Sequence, residues 1–120
     1  DHLAWCSERL RELGARPSVL DPLWYAGCFC MGFGAAVLGD RASFGFVAET
    51  EAQVEAHIKD HLQRLPAADA KSRAILERMA QDEARHGTMA TLGGARPLPL
   101  PARRAMAFGG ELLRKFSAIL

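Results

Sequence analysis

Several things are scarce in this sequence, and each scarcity removes a class of function. No block of like charge occurs: fifteen Lys and Arg against fourteen Asp and Glu leave a formal net charge of +1. A chain without a basic run has little to neutralise a row of phosphates, so nucleic acid is not an expected partner. Cysteine is sparse and badly spaced for chemistry. Cys6, Cys28 and Cys30 are odd in number, no Cys-x-x-Cys is present, and Cys28 and Cys30 fall on nearly opposite sides if helical. Neither a zinc site nor a redox pair is indicated, and the three read as reduced, buried small hydrophobes in a non-oxidising compartment. No signal-peptide or transit-peptide pattern opens the chain, which begins Asp1-His2-Leu3 as though already inside a helix. What is plentiful is apolar residue, 49% against 24% charged, which fits one soluble or membrane-surface globular domain rather than a disordered chain.

The stretch that organises the rest is Gln81-Asp82-Glu83-Ala84-Arg85-His86. A spacing of three places the Glu83 carboxylate and the His86 imidazole on one helix face, a turn apart. At about 100° per residue, Leu76, Met79 and Ala90 lie within roughly 40° of Glu83. Both polar groups therefore sit inside an apolar stripe, where a carboxylate needs a compensating partner. A metal ion is one solution, and Glu-x-x-His on inward faces of a bundle is the ligand pattern of di-iron carboxylate proteins. A salt-bridged Glu beside a satisfied core His is the other.

Residues 1–13 read as the end of a helix, with Leu3, Cys6, Leu10 and Leu13 at helical spacing and Gly14 as its stop. His2 lies next to that stripe and by itself is an ordinary histidine. A connector with Pro17 and Pro22 follows, Asp21 serving as cap. From Leu23 to Gly39 there is no charge; these 17 residues reach only the short limit for a bilayer span. The stretch is either a buried core helix or a helix partly immersed in a membrane interface, with Trp24 and Tyr25 near the headgroups. The last helix, about Ala102 to Leu120, sets Met106, Leu112, Leu113, Phe116, Ile119 and Leu120 against Arg103, Arg104, Arg114 and Lys115. It suits an anionic membrane surface or a place on the bundle equally well.

A third helix is expected from about Arg41 to Leu65, and a fourth from a cap at Asp69 to Gly93-Gly94. Phe44, Val47, Val54, Ile58, Leu62 and Leu65 form the third helix's stripe, and Glu51 stands at its centre. Glu55 lies about 40° off that line, His57 and His61 flank it on the other side, and Glu49 points away into solvent. The short turn at Pro66 makes the two helices antiparallel neighbours. Glu51 is fourteen residues before Leu65 and Glu83 fourteen after Asp69. With equal rise per residue, the two carboxylates come to the same height, and His86 joins them. That convergence favours a metal site over a lone salt bridge.

These residues carry a resemblance. Arg16 to Trp24, the Gly/Ala-rich helix to Gly39, Val47-Ala48-Glu49-Thr50-Glu51 and Asp82-Glu83-Ala84-Arg85-His86 are similar, in order and spacing, to the demethoxyubiquinone hydroxylase family of ubiquinone biosynthesis. The resemblance covers essentially the whole chain. It implies an all-α, ferritin-like antiparallel helical bundle with an apolar second helix and a C-terminal amphipathic helix, residues 1–120 forming a single di-iron domain. It also implies two iron ions per complete site, held by four glutamates and two histidines. Carried over residue by residue, the metal ligands are His2, Glu51, Glu83 and His86, with His57 close to the site rather than in it. Some members have a tyrosine where this chain has Ile58. Two family glutamates would precede Asp1, so the domain is expected to lack the first helix and the start of the second, leaving four of six ligands.

The implied reaction is monooxygenation: one atom of O2 enters the ring of a polyprenyl benzoquinone intermediate and the other leaves as water. Ordinary side chains cannot do this, and a redox metal must. The implied place is peripheral on a membrane, at the cytoplasmic face of a bacterial inner membrane or, in a eukaryote, the matrix side of the mitochondrial inner membrane. A homo-oligomer and a lipid-binding accessory protein are compatible with it. Two readings from other classes stand beside it: a ferritin-like metal-binding bundle without organic substrate, and a structural membrane-surface module whose Glu51, Glu83 and His86 are only a hydrogen-bonded cluster.

Overall fold

The computed structural model describes residues 1–120 and contains five α-helices and no strand. They are α1 (His2–Glu12), α2 (Asp21–Val37), α3 (Asp40–Arg64), α4 (Ala70–Leu92) and α5 (Leu100–Ile119). The all-α class and the helix order agree with the sequence expectation and with a ferritin-like bundle. Two boundaries show the local cause. Asp69 caps α4, its carboxylate accepting the Ser72 amide at 3.0 Å. Gly39 takes φ +103 to turn the chain from α2 directly into α3, a region that L side chains rarely enter.

The long antiparallel pair α3–α4 is the frame, and the other helices hang on it through polar fasteners. At one end of α1, the Arg9 guanidinium reaches Asp69 at 2.8 Å and donates to Ser72 Oγ at 2.9 Å. The Cys6 thiol donates to Met79 Sδ at 3.7 Å, and burial raises its pKa. Arg103 of α5 donates to Glu49 at 3.0 Å and Arg114 to Asp60 at 3.4 Å, both on α3. Trp24 Nε1 donates to Ser117 Oγ at 2.9 Å, joining the start of α2 to the end of α5.

Several expectations need correction. Helix α2 has no buried residue: Leu23, Tyr25, Phe29, Met31, Phe33 and Val37 are all exposed, so it is not a core helix here. Cys28 and Cys30 are exposed with it, and only Cys6 is half-buried; all three are free thiols. Asp21 is the first residue of α2 instead of its cap, the Leu20 amide being held by Ser18 Oγ. Glu49 is not a solvated group, for it is fastened to Arg103 and accepts from Gln53 at 2.7 Å. Arg103 and Arg114 of α5 turn toward α3 while Phe108, Leu112, Phe116 and Ile119 are left exposed. No helix is long and apolar enough to cross a membrane.

Arg96, in the proline-rich crossing, closes over the start of α3. Its amide donates to the Arg41 carbonyl at 3.0 Å, and a Cβ on Gly45 would stand 2.0 Å from the Arg96 carbonyl oxygen. Backbone cannot yield as a side-chain tip can. Gly45→Ala is therefore expected to destabilise by about 1–3 kcal/mol, the usual scale of overpacking. Gly109→Ala, where a Cβ meets nothing within 4 Å, is expected to stabilise α5 by about 0.5–1 kcal/mol. Urea denaturation of the two variants checks the opposite signs.

Candidate metal centre

The centre lies where α3 and α4 face each other at mid-length. One ligand atom from each of Glu51, Glu83 and His86 lies within 4.8 Å of the others. The equal count of residues from the shared turn thus does bring both carboxylates to one height. Gly87, one turn after Glu83, lies under Glu51, whose Cβ is 3.6 Å from where a Gly87 Cβ would be. The fourth candidate arrives from α1: His2 Nδ1 is 2.7 Å from Glu83 Oε1, and its ring centroid is 6.3 Å from that of His86, the two planes at 30°.

The charge pattern separates this cluster from the ion-paired carboxylates of α3. Glu83 is only 8% exposed, yet no lysine or arginine pairs with it. Its partners are imidazoles alone, His2 at 2.7 Å and His86 Nδ1 at 3.9 Å; Glu51 likewise faces His86 Nδ1 at 3.9 Å. Elsewhere, Glu49 has Arg103, Glu55 has Lys59 and Asp60 has Arg64. Two carboxylates and imidazoles converging without a fixed cation, and at separations too long for hydrogen bonds at His86, form a donor set for a divalent transition metal.

The other flagged residues lie apart from the group. Glu55, one turn from Glu51, is paired with Lys59 and with Glu83 lines a recess of about 370 Å³ also bounded by Ala48, Ala52, Ala84 and Gly87. His57 faces α5, where its Cε1 is 3.4 Å from the position of a Cβ on Gly110. His61 is a further turn away; burial, then the charges of Arg64 and Arg114, lower its pKa.

One residue at the centre escapes periodicity. Asp82 is about 100° round the helix from Glu83 and off its stripe, yet it is 7% exposed and its Oδ2 lies 3.0 Å from His2 Nε2. The His2 hydrogen bond, helped by Arg85 and Arg78 and opposed by burial, holds its carboxyl down at about 2. The sequence signal that marks it is a pair of arginines at i−4 and i+3, Arg78 and Arg85, on one acidic residue.

Comparison with known proteins places this geometry. A protein of Cupriavidus necator named 3-demethoxyubiquinol 3-hydroxylase is 64% identical over 106 residues, covering 88% of this chain and 51% of the relative. Proteins of the same name from Cupriavidus metallidurans and Burkholderia multivorans are 57% identical over 113 residues and 55% identical over 115. These cover 94% and 96% of this chain, and 55% of each relative. The chain thus spans about half the length of the curated relatives it matches. No solved structure matches it. The family described as "Ubiquinone biosynthesis protein COQ7" matches residues 1–112, and the chain belongs to that family.

Proposed function

We propose that this chain carries the metal-binding core of a di-iron monooxygenase that hydroxylates the ring of the demethoxyubiquinone (or -ol) intermediate of ubiquinone biosynthesis. One observation carries the reading: Glu51, Glu83, His86 and His2 converge, without lysine or arginine among them, in a chain of this family. The relatives' name supplies the substrate class.

Residues 1–120 act as one domain in this reading, with His2, Glu51, Glu83 and His86 as the ligands it contributes to a pair of iron ions. Iron, when bound, supplies the activation of O2 that no side chain here can perform. The chain's own residues do the rest. Glu51 and Glu83 would hold the metal through carboxylate oxygens and offset its positive charge, while His2 and His86 would supply nitrogen donors. Ala48, Ala52, Ala84 and Gly87 keep side chains short beside Glu83, and the resulting recess of about 370 Å³ falls in the size range of small-ligand sites. A groove of about 1020 Å³ is lined by Leu3, Leu10, Leu65 and Leu76 together with Arg16, Arg64, Arg114 and Lys115, which gives a polyprenyl tail apolar surface within a basic border. His57, facing α5, acts on the site only from its surroundings.

The exposed apolar residues of α2 and α5 support a peripheral membrane location, at the cytoplasmic face of the inner membrane in a bacterium. A patch of this kind is rare on a freely soluble monomer. A homo-oligomer or a lipid-binding accessory protein would use the same surface.

Three measurements on the full-length protein test this. In metal analysis after anaerobic iron loading, Glu51→Ala and Glu83→Ala are expected to lose most bound iron and Glu55→Ala to retain it; retention in all three removes the metal reading. In cells lacking the gene, lipid mass spectrometry is expected to show a ubiquinone precursor short of one methoxy group, relieved by the wild-type gene and not by Glu83→Ala. A normal quinone profile, with no duplicate enzyme in the genome, overturns the hydroxylase. In flotation with anionic liposomes, Phe29→Glu with Phe33→Glu is expected to reduce binding at least tenfold, and unchanged flotation removes the membrane role of α2.

A further inference from the structure

The basic border of the large groove is a feature that an uncharged prenyl chain does not use. Three parts of the chain build it: the last turn of α3 with His61 and Arg64, the end of α5 with Arg114 and Lys115, and the connector before α2 with Arg16. The charges there do not cancel. Arg64 and Arg114 share Asp60, and Arg114 and Lys115 share Glu111, so three cations meet two carboxylates. Arg16 is exposed and forms no ion pair. Asp21, the one acid in the lining, is the first residue of α2, where the helix dipole offsets a carboxylate. One cation of the trio and Arg16 are left over, enough for one monoanionic phosphate. His61 registers the same field, since after burial the charges of Arg64 and Arg114 lower its pKa ahead of the opposing pull of Asp60.

We propose that this groove is a headgroup site for one anionic phospholipid, with the phosphate held by Arg16, Arg64, Arg114 and Lys115 and the start of an acyl chain on Leu10, Leu65 and Ile119. The inference rests on the peripheral membrane location proposed above and adds to it a lipid class and a place of contact. Its chain covers apolar surface that an entering quinone tail would displace. Arginine and lysine around one phosphate make charge-assisted hydrogen bonds, the stronger kind. A zwitterionic headgroup brings its own cation to the same border and meets like charge there.

A free phosphate ion is the competing occupant, and the shape of the groove argues against it. At about 1020 Å³ the groove lies at the top of the range for small-ligand sites, far beyond a bare anion, and its leucines favour an anion that carries a chain. The surroundings fit a membrane interface as well. Trp24, in the first turn of α2, donates to Ser117 Oγ of the groove lining at 2.9 Å, and tryptophan favours the headgroup level of a bilayer. The exposed Leu23, Tyr25 and Phe29 of α2 follow directly from it along the chain.

The test titrates the full-length protein by calorimetry with a short-chain phosphatidylglycerol below its micelle concentration, and with the matching phosphatidylcholine and inorganic phosphate for comparison. Saturable one-to-one binding of phosphatidylglycerol is expected, with the other two at least about tenfold weaker. Arg16→Gln with Lys115→Gln is expected to weaken it by about 25-fold, at about fivefold for each cation removed. Arg104→Gln, which removes an exposed cation of α5 outside the groove, is expected to leave it nearly unchanged. Absent phosphatidylglycerol binding, equal binding of phosphatidylcholine, wild-type affinity in the double variant or an equal loss in Arg104→Gln each overturns the proposal. Inorganic phosphate bound as tightly as phosphatidylglycerol overturns it in favour of a free-anion site. Flotation separates the two failures. A wild type that floats with neither phosphatidylglycerol nor phosphatidylcholine vesicles removes the membrane location itself, whereas one that floats equally with both keeps that location and overturns the headgroup site.

Discussion

A carboxylate buried without a cation is the constraint around which this molecule is arranged. Glu83 is 8% exposed and meets only imidazoles. Burying an ionised carboxylate is costly unless charge or hydrogen bonds compensate it, and here the imidazoles come from two helices, His2 from α1 and His86 from Glu83's own α4. Glu51 comes to it because α3 and α4 are antiparallel about one short turn, and His86 lies one turn along Glu83's own helix. His2 comes because α1 is fastened by Arg9 at its other end.

The fasteners and the apolar surface divide the work unequally. Only six residues are buried, and three of them, Ser72, Asp82 and Glu83, are polar and on α4. The ion pairs that attach α1 and α5 are half-exposed, and pairs of that kind contribute little stability each. Their value lies in register: Glu49–Arg103 and Asp60–Arg114 set where α5 lies along α3. Arg103 and Arg114 are used inward, while Phe108, Leu112, Phe116 and Ile119 remain outside, as do the apolar residues of α2.

That arrangement suits the proposed reaction, whose reactants would come from two phases, a polyprenyl quinone from the bilayer and O2 from water. The carboxylate–imidazole cluster between α3 and α4 and the outward-facing apolar residues of α2 and α5 would serve that proposal by joining the two phases on one protein.

Much of this was legible in the chain itself. The five helices, the turn at Pro66, the Asp69 cap and the place of Glu51 and Glu83 in apolar stripes follow from periodicity and capping, which are local. The equal height of the two carboxylates follows from counting, since helical rise is constant. The family resemblance added His2, which no local rule marks. Tertiary structure decided the rest. The exposure of α2, with Cys28 and Cys30, depends on which helices cover it, and an uncharged stretch reads the same in a core or at a surface. The inward turn of Glu49 and of α5's arginines depends on partners more than fifty residues away. Asp82's bond to His2 joins positions 80 residues apart and lies off the periodic stripe. Periodicity reports which face of a helix is apolar; only packing determines what meets it.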